Sequence, residues 1–133
     1  MLKVEHIGIA VQDLTTAIPL YEKLLNTNCY KTEQIISENV NTAFYKQGET
    51  KIELLESIAA GSAIAKFIEK RGEGLHHIAF EVEDILSEMK RLQEDGFTLI
   101  NEQPKKGADN KLVCFLHPKD THGVLIELCQ EIR

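Results

Sequence analysis

Apolar residues alternate with polar or small ones almost from the start of the chain. KVEHIGIAV, residues 3–11, sets Ile7, Ile9 and Val11 on one face of a strand and His6, Gly8 and Ala10 on the other. The period then changes. In DLTTAIPLYEKLLN, Leu14, Ile18, Tyr21 and Leu25 fall at helical spacing, with Asp13 placed to cap. Pro19 interrupts this helix unless Thr16 is the cap, which would put Pro19 in the first turn, where amides lack partners anyway. Strand-like runs follow at 28–36, 41–47 and 50–56, the last two joined at Gln47, Gly48 and Glu49. The order then repeats. A strand over 75–82 leads into a helix from Asp84, with Ile85, Met89 and Leu92 on one face and a stop at Asp95 and Gly96. Short strands follow near 97–100, 111–117 and 123–129. Each half is βαβββ, and SIAAGSAIAKFIEKRGEG between them reads as a connector with a short helix over 62–71 and Gly72 past its end.

The repeat reaches individual residues. EHIGIAVQDL is echoed by HHIAFEVEDI, so that His6 aligns with His77, Ile7 with Ile78, Val11 with Val82 and Asp13 with Asp84. KIELLE and VLIELC end the two halves, with Glu53 and Glu127 at equivalent places in Ile-Glu-Leu triplets. Each half thus offers one histidine early in its first strand and one glutamate in its fourth. Two such halves related by a pseudo-two-fold axis would form a curved mixed sheet with all four side chains in its concave face. A carboxylate in the middle of an apolar strand is costly unless paired or bound to metal. Two imidazoles and two carboxylates suit a borderline divalent ion such as Co, Mn, Ni, Zn or Fe(II). On an octahedral ion they leave two adjacent positions for water or a bidentate substrate.

The expectation is therefore an α+β fold: two βαβββ modules forming a curved mixed sheet around a metal site of His6, Glu53, His77 and Glu127. It is a single domain over 1–133, with modules at approximately 1–57 and 74–133 and a connector at 58–73. A lone strand histidine is more often a hydrogen-bonded core or surface residue, and the fourfold match is what singles these residues out. His76 alternates to the face opposite His77, His117 precedes Pro118 at a strand end, and His122 lies in a turn before Gly123. Those three are read as structural.

Composition narrows the partners. The 133 residues suffice for one domain with a proper core, and a net charge of −6 argues against a nucleic-acid or membrane-surface partner. Cys29, Cys114 and Cys129 are odd in number and not in CxxC pairs, as expected of reduced, mostly core thiols in a cytoplasmic protein. No apolar run approaches a membrane span, and MLKVEHIGIAV lacks signal-peptide architecture.

Four stretches carry a resemblance: EHIGIAVQDL, TAFYKQGETKIELLE, SAIAKFIEKRGEGLHHIAFEVEDI and FLHPKDTHGVLIELCQ. Together they resemble the vicinal oxygen chelate (glyoxalase) superfamily and, within it, the methylmalonyl-CoA epimerase family, over essentially the whole chain. AKFIEKRGEGLHHIAFEV and FLHPK…GVLIEL are the runs that separate epimerases from most other members. The resemblance implies metal ligands at His6, His77 and Glu127, and at Glu53, where the family has Gln or Glu. It implies metal-dependent epimerisation of (S)- and (R)-methylmalonyl-CoA. The C2 proton lies between a thioester and a carboxylate, and its removal leaves an enediolate-like anion that a divalent cation stabilises as a Lewis acid. Inversion needs a base on one face and an acid on the other. By analogy with the family, Glu127 is one of them. The other is a glutamate before the Val of the third strand, carried here onto Glu38 of ISENV, one position closer to Val40 than is usual. Such a shift flips a side chain in a strand but need not in a loop. Leu25-Asn26 stands where the family has Leu-Gly, and Asn tolerates the left-handed conformation.

The resemblance also implies an acyl-CoA substrate, a homodimer and a divalent ion, cobalt first with manganese, nickel and zinc as alternatives. Lys105, Lys106 and Lys111 are the nearest thing to a basic cluster for the CoA phosphates, although an ordinary exposed loop is the commoner case for such lysines. Other readings within the fold are a glyoxalase I-type isomerase (lactoylglutathione lyase) and a dioxygenase, whose 2-His-1-carboxylate triad leaves no role for Glu53. A non-catalytic small-molecule binding protein would carry apolar residues at the ligand positions.

Overall fold

The computed structural model describes residues 1–132. Contacts cluster the chain into two units, Ile7–His76 in one and Met1–His6 with the residues from His77 onward in the other. The first strand, β1 (Lys3–Val11), gives residues to both.

The unit Ile7–His76 continues from β1 into α1 (Leu14–Leu25), β2 (Lys31–Ile35), β3 (Val40–Gln47), β4 (Thr50–Ser57) and α2 (Ala63–Arg71). Its strand order is β2-β3-β4-β1, with β2, β3 and β4 antiparallel. Asp13 caps α1, its carboxylate accepting from the Thr15 N–H at 2.9 Å. Thr16 is therefore not the cap, and Pro19 lies inside the helix rather than in its first turn. An interior proline forfeits a backbone bond and costs ~3 kcal/mol. Packing outweighs that cost. Leu14, Ala17, Ile18, Tyr21 and Leu25, each partly buried, lie against a cluster of Val11, Ala43, Tyr45 and Leu54. Several such side chains each contribute a share of the ~1.5–3 kcal/mol that full burial of a large one gives. The Tyr45 hydroxyl also donates to the Ile18 carbonyl at 3.1 Å, tying β3 to the turn that contains Pro19. Asn26 ends the helix in the left-handed conformation, φ 53°.

Pairing of β2 stops at Ile35, short of the expected end, because Ile36–Glu38 winds into a single 3-10 turn. Asn39 closes that turn at φ 54°, its N–H returning to the Ile36 carbonyl, and pairing resumes at Val40.

The other unit adds β5 (Gly74–Glu81) from His77 onward, α3 (Ile85–Glu94), β6 (Lys105–Lys106), β7 (Lys111–Leu116) and β8 (Leu125–Glu131). Its order is β1-β5-β8-β7-β6, and the sheet is mixed, with β5 parallel to β8 and β7 antiparallel to β6 and β8. Asp84 caps α3, accepting from the Ser87 N–H at 3.3 Å. The apolar face of that helix, Ile85, Met89 and Leu92, packs on Val82, Cys114, Leu116 and Leu128. The strand expected near 97–100 is absent. Leu99 forms one bridge to Leu116, and the strand that precedes β7 is the two-residue β6. The cause is side-chain competition for backbone groups. Asp120 takes the Thr98 N–H at 2.7 Å, and the Asn101 side chain takes the Phe115 N–H at 2.9 Å, a donor that a regular ladder would use. No helix among the described residues is long and apolar enough to cross a membrane.

Candidate metal centre

β1, β5 and β8 each bring one functional side chain to the same place. The Leu2 N–H donates to the Glu81 carbonyl at 2.8 Å. Counting inward from that bond, forward along β1 and back along β5, reaches His6 and His77 together. In the parallel pair β5 and β8, Glu127 stands opposite Ala79, two residues beyond His77 and so on the same face. The opposite face of β8 carries Leu128, buried against α3, so burial on both sides fixes the register.

His6 Nε2 lies 3.0 Å from His77 Nε2. Glu127 Oε1 is 3.2 Å from the latter and 3.6 Å from the former. All three residues are buried, and their ligand atoms converge within 4.8 Å. The imidazole rings meet edge to face at 89°. These separations fit a metal. With metal–ligand bonds of about 2.0–2.2 Å, neighbouring donor atoms on a tetrahedral or octahedral ion lie about 3.0–3.5 Å apart. The donor set, two imidazoles and a carboxylate, also suits a divalent transition ion. Burial pushes the Glu127 carboxyl up, but the two imidazoles beside it, His6 and then His77, outweigh that and hold the group well below the usual carboxylate range. Glu127 is thus an anion at neutral pH, as a ligand or a base must be.

Comparison with known proteins gives the family. The family described as Glyoxalase/Bleomycin resistance protein/Dioxygenase superfamily matches residues 5–115. The chain belongs to that superfamily. The ethylmalonyl-CoA/methylmalonyl-CoA epimerase of Cereibacter sphaeroides is 42% identical over 130 residues, 96% of this chain and 97% of that protein. Human mitochondrial methylmalonyl-CoA epimerase is 37% identical over 129 residues, 96% of this chain and 73% of that one. A Streptomyces coelicolor methylmalonyl-CoA epimerase variant, solved in complex with 2-nitronate-propionyl-CoA, matches with a TM-score of 0.95 at 32% identity, over 100% of this chain and 99% of that one. These relatives are enzymes, and the likeness to methylmalonyl-CoA epimerases that the motifs implied holds over nearly the whole chain.

Within this superfamily member, the remaining candidates fall in different surroundings. Glu53 is buried in β4, opposite Phe44 in the pairing with β3. Glu38 is half-buried in the 3-10 turn, so its one-residue offset falls where no strand pairing would flip it. The three lysines do not form one exposed loop. Lys111 is buried, with Nζ 3.4 Å from Glu131 Oε1 and 4.0 Å from Glu5 Oε2. Lys105 lies over the ring of Phe115 at 6.0 Å, and Phe115 meets His77 edge-on at 6.2 Å. The other histidines hold local structure. His76 packs edge-on against Phe67, His117 accepts the Lys119 N–H at 3.1 Å, and His122 takes a left-handed turn position at φ 55°.

Sequence reasoning missed Glu5. Strict alternation sends it to the face opposite His6, yet it is only 2% exposed and its Oε1 lies 2.8 Å from His6 Nδ1. The available signal was a carboxylate directly before a candidate ligand histidine.

Proposed function

We propose that the chain interconverts (S)- and (R)-methylmalonyl-CoA by removing and returning the proton at C2, with a divalent ion held by His6, His77, Glu127 and Glu53. The observation that carries this reading is the convergence of His6 Nε2, His77 Nε2 and Glu127 Oε1 on one buried point, in a chain whose relatives are named methylmalonyl-CoA epimerases. Mixed imidazole and carboxylate donors suit cobalt, manganese, nickel and zinc alike, and the family resemblance puts cobalt first. When bound, the ion supplies Lewis-acid polarisation of the substrate's thioester and carboxylate oxygens, which makes the C2 proton removable.

The chain's own residues supply the proton transfers. Glu127, held as a carboxylate, accepts the C2 proton on one face. Glu38 exchanges a proton with C2 on the other, and the two together invert the centre. Which face each serves depends on the isomer that enters. An acyl-CoA substrate, a homodimer and a cytoplasmic location complete the proposal. The Streptomyces coelicolor relative in complex with 2-nitronate-propionyl-CoA supports an acyl-CoA ligand.

The test starts from pure (S)-methylmalonyl-CoA. Metal-loaded protein should convert it to the equilibrium mixture of isomers. Chelator-treated protein should not, and added Co2+ or Mn2+ should restore conversion. Full activity in protein shown by elemental analysis to hold no metal would sink the chelate. An inert metal-loaded protein would sink the substrate assignment.

A further inference from the structure

The mechanism above leaves a buried polar network unused. Glu5, Lys111 and His6 are 2%, 5% and 6% exposed, and they form a chain. Lys111 Nζ lies 4.0 Å from Glu5 Oε2, and Glu5 Oε1 lies 2.8 Å from His6 Nδ1. His6 Nε2, on the other side of the ring, faces His77 and Glu127. Two buried charges are costly unless they are paired and hydrogen-bonded.

We propose that Glu5 is a positioning residue for the metal centre, and that Lys111 acts through it. A neutral imidazole has one N–H and one lone pair, and the hydrogen bond at one nitrogen decides which nitrogen carries the proton. A carboxylate can only accept, so Glu5 takes the Nδ1–H of His6. That leaves the lone pair on Nε2, aimed at the point shared with His77 and Glu127. The other tautomer would aim an N–H there and could not ligate. Lys111 neutralises the second oxygen of Glu5 and anchors it, while Glu131 Oε1 at 3.4 Å shares the ammonium. A carboxylate behind a ligating histidine is a common outer-shell device, and its loss typically weakens metal binding 10–100-fold. The inference rests on the chelate proposed above.

One competing arrangement involves the same atoms. Cys129 Sγ lies within 4.8 Å of ligand atoms of Glu5 and His6, a softer donor set. Its thiol instead donates to the Phe80 carbonyl at 3.5 Å.

Three measurements test the network. Long-range 1H–15N NMR of the metal-free protein should show His6 with its proton on Nδ1, and Glu5→Ala should shift population to Nε2–H. A wild-type His6 protonated on Nε2 would overturn the proposal. Co2+ titration should show about 10–100-fold weaker binding in Glu5→Ala, which removes the acceptor at Nδ1. Affinity within twofold of wild type would overturn it. Lys111→Met should weaken binding by itself, while the double variant Glu5→Ala with Lys111→Met should bind no more weakly than Glu5→Ala alone, because Lys111 acts through Glu5. Additive losses would remove Lys111 from the network. The Co2+ spectrum of the wild type should lack a thiolate charge-transfer band. Its presence would assign the ion to Cys129 and overturn the proposal. A wild type that takes up no Co2+ defeats the proposed function itself, and the tautomer experiment then decides Glu5 alone.

Discussion

His77→Ala protein should bind Co2+ at least ~10³-fold more weakly than wild type, beyond the range expected for an outer-shell residue, and should lose epimerisation with it. The imidazole it removes is the one nearest Glu127, with Nε2 at 3.2 Å from Oε1 and 3.0 Å from His6 Nε2. Without it the site keeps only His6 and Glu127 of the three converging groups. A buried carboxylate then faces one imidazole instead of two, which raises the cost of holding it charged. The fold should survive, because the packing of α3 on Leu116 and Leu128 is on the other face of β8. Circular dichroism checks the fold, and isothermal titration checks the metal. Wild-type affinity in a folded His77→Ala protein would disprove the chelate.

Glu38→Gln separates proton transfer from metal binding. It should keep Co2+ affinity while slowing epimerisation about 10²–10⁴-fold, the usual contribution of a positioned acid or base. The turn that carries Glu38 is closed by the backbone bond from the Asn39 N–H to the Ile36 carbonyl, which this substitution leaves intact. A rate loss would therefore report chemistry rather than a displaced loop. A two-base mechanism adds a sharper signature. The surviving base still exchanges the C2 proton of one isomer with solvent, so the variant should wash deuterium into that isomer alone. Glu127→Gln should instead damage metal binding and turnover together. Epimerisation by Glu38→Gln at the wild-type rate would move the second acid–base group to another residue.

Much of this architecture could be read from the chain, and the exceptions have physical causes. The internal repeat made the meeting of His6, His77 and Glu127 legible, because each half repeats a histidine in its first strand and a glutamate in its last. Asp84 was legible as a cap for the same local reason that Asp13 is one, a short carboxylate ahead of an apolar helical stripe. Pro19 misled because a proline argues for a first-turn position, and tertiary packing against Tyr45 and Leu54 overrode that preference. The strand near 97–100 failed because Asp120 and Asn101 side chains captured backbone donors, a long-range effect that no local pattern carries. Glu5 escaped notice, and Lys111 reads with Lys105 and Lys106 as a basic cluster most often found in an exposed loop, because charged side chains are rarely buried. The burial of Glu5 and Lys111 follows from each other and from His6, a pairing visible only once β1 and β7 are folded.

Exchange at C2 tests the central claim most directly. Metal-loaded protein and methylmalonyl-CoA are mixed in D2O, and the C2 proton signal is followed by NMR beside a protein-free control with the same metal. Loss of that signal well ahead of the control, abolished by chelator, is the result expected of a metal-dependent base acting at C2. Exchange no faster than the control, with metal demonstrably bound, would contradict it.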